Sequence, residues 1–121
     1  MQISKTKLNK QVQKQIEAIF CQTLSDLQRP EDVKIFVRDF FTPSEQSMIT
    51  KRLAIAMYLE KGRSYEQIKQ ALKVSSATIA STDKMMNRNS EGFVLALKRI
   101  DADEWASGLT EKVSNFFKKF S

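Results

Sequence analysis

Places to turn are scarce in this chain, which has three Gly and two Pro in 121 residues. A β-fold of this size needs a turn roughly every 8–12 residues and β-branched runs between the turns, and the sequence supplies neither. What remains are long stretches whose apolar residues recur at steps of three and four, the spacing that lines one face of an α-helix. An all-α fold of six or seven helices is therefore predicted, with no internal repeat. The mean hydropathy is −0.40 and 41% of residues are hydrophobic. That is slightly lean for a self-contained globule, and leaves room for a second subunit to complete the core.

The helix boundaries follow from the few turn formers and caps. A first helix is predicted from about Lys5 to Leu27, with Leu8, Val12, Ile16, Ile19, Phe20, Leu24 and Leu27 on one stripe. Arg29-Pro30 ends it, because the residue before Pro is pushed out of the helical region. A second helix follows, with Val33, Phe36, Val37, Phe40 and Phe41 as core residues. Thr42-Pro43-Ser44-Glu45 has the form of a capping box with Pro at the first helical position. It opens a third helix to about Lys61 whose apolar side is Met48, Ile49, Leu53, Ala56, Met57 and Leu59, and Gly62 is placed to end it in the left-handed conformation. Ser64 and Gln67 form a second capping box, with Ile68, Ala71 and Leu72 facing inward. Ser75 caps a fifth helix from Ser76 to about Asn87, and Asn87–Ser90 reads as a loop. A short helix Glu91–Ile100 turns Phe93, Val94, Leu97 and Ile100 inward. Asp101 or Asp103 is then expected to cap a last helix to about Phe120.

Two short helices separated by Lys73, Val74 and the cap Ser75 have the outline of a helix-turn-helix over residues 64–86. Its packing needs apolar side chains at four positions, and Ile68, Leu72, Val74 and Ile79 occupy them. The outward residues of the second helix, among them Ser76, Ala77, Thr78, Ala80, Ser81 and Lys84, are almost all small. A slim helix of this kind fits a major groove, where hydroxyls and methyls touch base edges. Ser75 and the free amides at the helix start are suited to a phosphate. Two features depart from the usual pattern. The turn position that favours positive φ holds Lys73 rather than Gly. The second helix also has no Arg or Asn at its front for bidentate base contacts, so affinity would lean on phosphates and DNA shape.

Charge points the same way. The formal net charge is +6. Residues 1–16 hold four Lys and no acid, and residues 62–100 hold seven basic groups against three acidic ones. A polyanion would be drawn to the N-terminal arm and to the helix-turn-helix. Enzyme chemistry is poorly provided for. The chain has no His, and no phosphate loop, metal-ligand cluster or nucleophile–base pair is visible, so no catalytic residue, metal or cofactor is expected. Asp101, Asp103 and Glu104 read as helix caps rather than a cation site. Lys51 and Arg52 can hold an anion or, equally, pair with a carboxylate. The single Cys21 excludes an internal disulfide, fits a reducing compartment and is expected to be buried. No stretch has the length of a membrane span, the N-terminal MQISKTKLNK lacks an apolar signal region, and a cytoplasmic location is expected.

The ordered series Phe41-Thr42-Pro43-Ser44-Glu45, Arg52, Gly62, Ser64-Tyr65, Ile68, Val74-Ser75, Ala77-Thr78-Ile79 and Gly92-Phe93 resembles the Trp repressor-like family, in particular its YerC/YecD-type branch. The resemblance covers roughly Leu24–Ile100. It implies a Trp repressor-like helical bundle that forms an intertwined homodimer, with the N-terminal helices of two chains sharing a core. It also implies that the second helix of the motif enters the major groove, with Ala77, Thr78 and Ile79 at base-contacting positions and Lys69 at a phosphate-facing one. Glu66 replaces a basic residue of the family. Arg52 matches one of two Arg that hold tryptophan in the Trp repressor, whereas Ser81 stands at the second and Thr82 at the Gly after it. No tryptophan corepressor is expected for this reason.

These readings define a helical domain over residues 1–100 and a C-terminal amphipathic helix over 101–121. In the latter, Trp105, Leu109, Val113, Phe116, Phe117 and Phe120 share a stripe flanked by Lys112, Lys118 and Lys119. That stripe is read as packing on the domain or across a dimer, with a membrane surface or a partner groove as lesser alternatives. Ser75, Ser76, Ala77, Thr78, Ser81 and Lys84 are expected to face double-stranded DNA, and Arg63, Lys69 and Lys73 its phosphates. The competing reading is an interaction module that keeps the helix-turn-helix shape without binding DNA.

Overall fold

The computed structural model describes residues 8–107, with side chains to residue 103. All secondary structure among the described residues is helical, in six α-helices: α1 Lys10–Asp26, α2 Pro30–Phe40, α3 Pro43–Glu60, α4 Tyr65–Leu72, α5 Ser76–Arg88 and α6 Ser90–Ser107. The chain divides into two compact units between Gln46 and Ser47. No helix of the described residues is long and apolar enough to cross a membrane.

The first unit holds α1 and α2. The Asn9 side chain accepts from the Gln11 amide at 2.8 Å and caps α1, so the helix begins at Lys10 rather than Lys5; residues 5–7 lie outside the described residues. Pro30 occupies the first position of α2, Glu31 and Asp32 its first turn and Arg38 its last, each suited to the helix dipole. Phe36 stacks on Phe40 with centroids 4.3 Å apart and meets Phe20 at 6.1 Å and Phe41 at 6.4 Å.

These aromatics do not form the buried core expected of them. Neither α1 nor α2 has a buried residue, and Phe40 is 71% exposed. Cys21, expected to be buried, is exposed as well. Two helices can cover each other along one seam only, and the remaining width of each apolar stripe stays open. The Thr42 capping box forms as read: Thr42 N–H donates to Glu45 Oε1 at 2.9 Å and Glu45 N–H to Thr42 Oγ1 at 3.1 Å.

The core lies in the second unit. Ile55, Tyr58, Ile68 and Ile79 enclose one another, and Met57, Leu59, Ala71, Leu72 and Val74 pack against them. The buried face of α3 is Ile55, Ala56 and Tyr58, whereas Met48, Ile49 and Leu53 are exposed. The stripe read from sequence is thus covered only towards its end, where Ala56 is buried and Met57 and Leu59 are half-buried, and Ile55 and Tyr58 join them. The end of α3 is a Schellman motif. Arg63 N–H donates to Tyr58 O and Gly62 N–H to Leu59 O, both at 3.0 Å, with Gly62 at φ +75°.

From there α5 packs against both α4 and α6. The fifth helix extends to Arg88, so the expected Asn87–Ser90 loop shrinks to the single residue Asn89. The sixth runs unbroken through Asp101 and Asp103, where a new helix start was expected. No Gly or Pro lies between Phe93 and Ser107, and the carboxylates serve as helix-surface ion pairs instead of caps. Asp103 meets Arg99 one turn earlier at 3.6 Å, and Asp101 meets Lys61 at 3.9 Å. Of the residues read as inward on this helix, Leu97 is buried, Phe93 and Ile100 are half-buried and Val94 is exposed. Residues 108–121 of the expected amphipathic helix lie outside the described residues.

Candidate nucleic-acid interface

The interface is built from two capped helices and the turn between them. Ser64 N–H donates to Gln67 Oε1 at 2.9 Å, and Gln67 N–H returns to Ser64 Oγ at 3.2 Å, so two of the free donors at the start of α4 are satisfied. Eight residues later α4 ends on Lys73, at φ +55° and ψ +47°. The turn thus adopts the left-handed conformation that the motif requires, with a lysine in it. Lys73 is the only non-Gly residue at positive φ among the described residues. Left-handed backbone costs an L-residue about 1–2 kcal/mol. The apolar contacts behind the turn offset that cost, for Ile68 and Ile79 are both 0% exposed with Leu72 and Val74 packed against them.

Beyond the turn, Ser75 caps α5. Its Oγ accepts from Thr78 N–H at 3.1 Å and lies 3.0 Å from Thr78 Oγ1. The front of the helix is thus a fixed hydroxyl pair. Ser75, Ser76, Ala77, Thr78, Ala80, Ser81 and Lys84 are all exposed, while Ile79 and Thr82 turn inward. One face of α5 therefore carries short, mostly uncharged side chains and the other fills the core.

The basic residues stand differently from one another. Lys73 and Lys84 are exposed. Lys69 is half-buried, with its Nζ 3.9 Å from Glu66 Oε2. Arg63 is also half-buried, and its positive charge lies close enough to Tyr58 to counter part of what burial does there. Burial pushes the Tyr58 hydroxyl pKa up, and Arg63 pulls it back. Of the three residues read as phosphate-facing, Lys73 is thus the most open.

An open groove of about 360 Å³ lies between α3 and α5, lined by Met48, Lys51, Arg52, Ala77, Thr78, Ser81 and Thr82. Arg52, Ser81 and Thr82, which the resemblance associates with tryptophan, are thus brought to one place, with Arg52 on the α3 wall and only the short Ala77, Thr78, Ser81 and Thr82 side chains on the α5 wall. Sequence reasoning did not find Met48 as a wall of this groove; its position one turn before Arg52 was the available signal. Nor did it find that Tyr65 Oη donates to Asp83 Oδ2 at 2.8 Å, joining the start of α4 to the middle of α5. Among the described residues no group of three or more His, Cys, Asp or Glu is placed to hold a metal.

Two short capped helices, a left-handed turn and an exposed second helix define a helix-turn-helix of the kind found in DNA-binding regulators. The family described as "Trp repressor protein" matches residues 14–101. The chain belongs to that family. It is 29% identical over 94 residues to the "Uncharacterized protein YerC" of Bacillus subtilis (strain 168), a match covering 78% of this chain and 89% of that protein. No solved structure matches the chain.

Proposed function

We propose that the chain is a sequence-directed DNA-binding regulator that seats α5 in the major groove, acts as a cytoplasmic homodimer and does not use tryptophan as a corepressor. The observation that carries this reading is the outward face of α5: every residue from Ser75 to Thr78 is exposed, together with Ser81 and Lys84. Ser75, Ser76, Ala77, Thr78, Ser81 and Lys84 would approach the bases and their edges, and Lys69, Lys73 and Arg63 the phosphates. Because α5 has no Arg at its front, phosphate contacts and duplex deformability would supply much of the free energy, and affinity would fall steeply with salt.

The exposed stripe of α1 supports the dimer. Val12, Ile16, Ile19, Phe20 and Leu24 all lie open to solvent in the single chain, an arrangement that a second copy would cover. Two α5 helices related by a dyad would read half-sites about 34–36 Å apart, so a near-palindromic operator is expected. Tryptophan is set aside because a planar ring between α3 and α5 would meet the guanidinium of Arg52 but only the short Ser81 and Thr82 side chains opposite.

Selection of bound duplexes from a random pool tests the reading directly: an enriched near-palindrome is expected. In gel shifts with that duplex, Thr78→Glu and Lys69→Glu are each expected to abolish or strongly weaken binding. Binding that survives both changes would remove the helix-turn-helix from the mechanism. One observation favours the second reading, a protein-interaction module without DNA: Glu66 places a carboxylate 3.9 Å from the ammonium of Lys69. No enrichment from the random pool is the result that module would give.

A further inference from the structure

Within the helix-turn-helix, one side-chain hydrogen bond lies outside the apolar core and spans eighteen residues of sequence. Tyr65 Oη donates to Asp83 Oδ2 at 2.8 Å. Tyr65 is the first residue of α4, and Asp83 lies two turns into α5. The other Asp83 oxygen, Oδ1, accepts from Asn87 Nδ2 at 3.4 Å, one turn further along the same helix. The carboxylate is therefore held from two sides. Tyr65 feels the same bond: its hydroxyl pKa is raised, first by the hydrogen bond to Asp83, then by burial and the carboxylate's charge.

The position of this bond gives it leverage. Behind the turn, α4 and α5 are joined through Ile68, Leu72, Val74 and Ile79. Apolar contacts of this kind are non-directional and tolerate small rotations. A phenol–carboxylate bond is directional and short, so it selects one crossing angle among those the core allows. It also fixes the one carboxylate of α5, whose only acidic residue is Asp83.

We propose that Tyr65 and Asp83 are positioning residues for DNA readout, with their hydrogen bond setting the angle at which α5 meets the duplex. This inference rests on the DNA-binding reading above and adds to it the pair that controls specificity rather than affinity. Neither side chain needs to touch a base. Loss of the bond would leave the helices folded and capped but would spread α5 over several approach angles. Contacts to base edges depend on that angle, whereas contacts to phosphates by flexible Lys side chains depend on it weakly.

The test measures the affinity of the full-length protein for its selected duplex and for a scrambled duplex of equal length, in the same salt. Wild type, Tyr65→Phe, Asp83→Asn and the double variant are compared, and the specificity ratio is the readout because it cancels the charge change of Asp83→Asn. Each single variant is expected to lower the ratio about three- to tenfold, the range of one modest hydrogen bond, with the double variant no worse than the singles. The stability loss read from urea midpoints in parallel is expected not to exceed that of one such hydrogen bond, because the bond is solvent-exposed and outside the core. A ratio unchanged in either single variant, whether affinity holds or falls equally for the two duplexes, would overturn the positioning role while leaving DNA binding in place. A wild-type ratio of one would instead overturn the DNA-binding reading, and this proposal with it.

Discussion

Lys73 shows how one residue serves two purposes at odds with each other. Its left-handed backbone closes the turn between α4 and α5, and its ammonium sits at the proposed phosphate edge. Replacing it by Gly relaxes the backbone but removes the charge. Lys73→Gly is therefore expected to raise stability by about 0.5–1 kcal/mol in urea titration. The same variant is expected to bind DNA more weakly, with a salt slope shallower by about one. At the other extreme stands Ile79, which is 0% exposed and belongs to the same helix as the exposed Thr78. Ile79→Ala is expected to cost about 2–5 kcal/mol, whereas Ala80→Ser, on the exposed face, should stay within about 0.5 kcal/mol. A loss at Ala80 as large as that at Ile79 would contradict the assignment of the two faces of α5.

At the scale of the helices, the caps govern where each element begins, and one of them makes a pH-dependent contribution. The Thr42 backbone N–H, and then its hydroxyl, hold the Glu45 carboxyl below its ordinary range. A group whose folded pKa is depressed stabilises the fold above its unfolded pKa and loses that contribution as pH falls through the folded value. Stability is thus expected to decline on acidification through and below the usual carboxylate range. Glu45→Gln should flatten part of that decline in urea midpoints measured from about pH 6 down to pH 2.5.

The capping boxes at Thr42 and Ser64 were legible in the sequence because they are made between residues three apart, and so were the helix-turn-helix positions Ile68, Leu72, Val74 and Ile79. Features that depend on distant partners were not. The Lys61–Asp101 ion pair joins residues forty positions apart. The Tyr65–Asp83 bond joins residues that no local pattern connects. Ala56 was read correctly on α3, but Ile55 and Tyr58 were missed for the same reason, since they are chosen by what α4 and α5 bring to them. Local bonding can be read along a line of residues, whereas the choice between two apolar faces of one helix is made by its neighbours.

For the whole molecule, the contrast is between a second unit with an enclosed core and a first unit whose helices have no buried residue. An exposed stripe on α1 with Phe20 open to solvent is costly to leave in water, at about 25 cal/mol for each Å² of apolar surface. The proposed homodimer follows from that surface, and sedimentation equilibrium is expected to give twice the chain mass. The thermal midpoint should then rise with protein concentration, as it does whenever folding and association are linked. Ile16→Glu, on the same stripe, is expected to shift the equilibrium towards monomer. A monomer at every concentration, with a concentration-independent midpoint, would overturn the proposed assembly.

The four side chains at the heart of the second unit come from α3, α4 and α5, and none of these helices supplies an interior of its own. Opening any one of them uncovers residues of the other two, so their amides should exchange with deuterium together, at the slowest rate in the molecule. The two stretches ahead of Thr42 lack such mutual enclosure. In a protein diluted to single chains they should take up label first, which would date the loss of the proposed partner before any loss of α5.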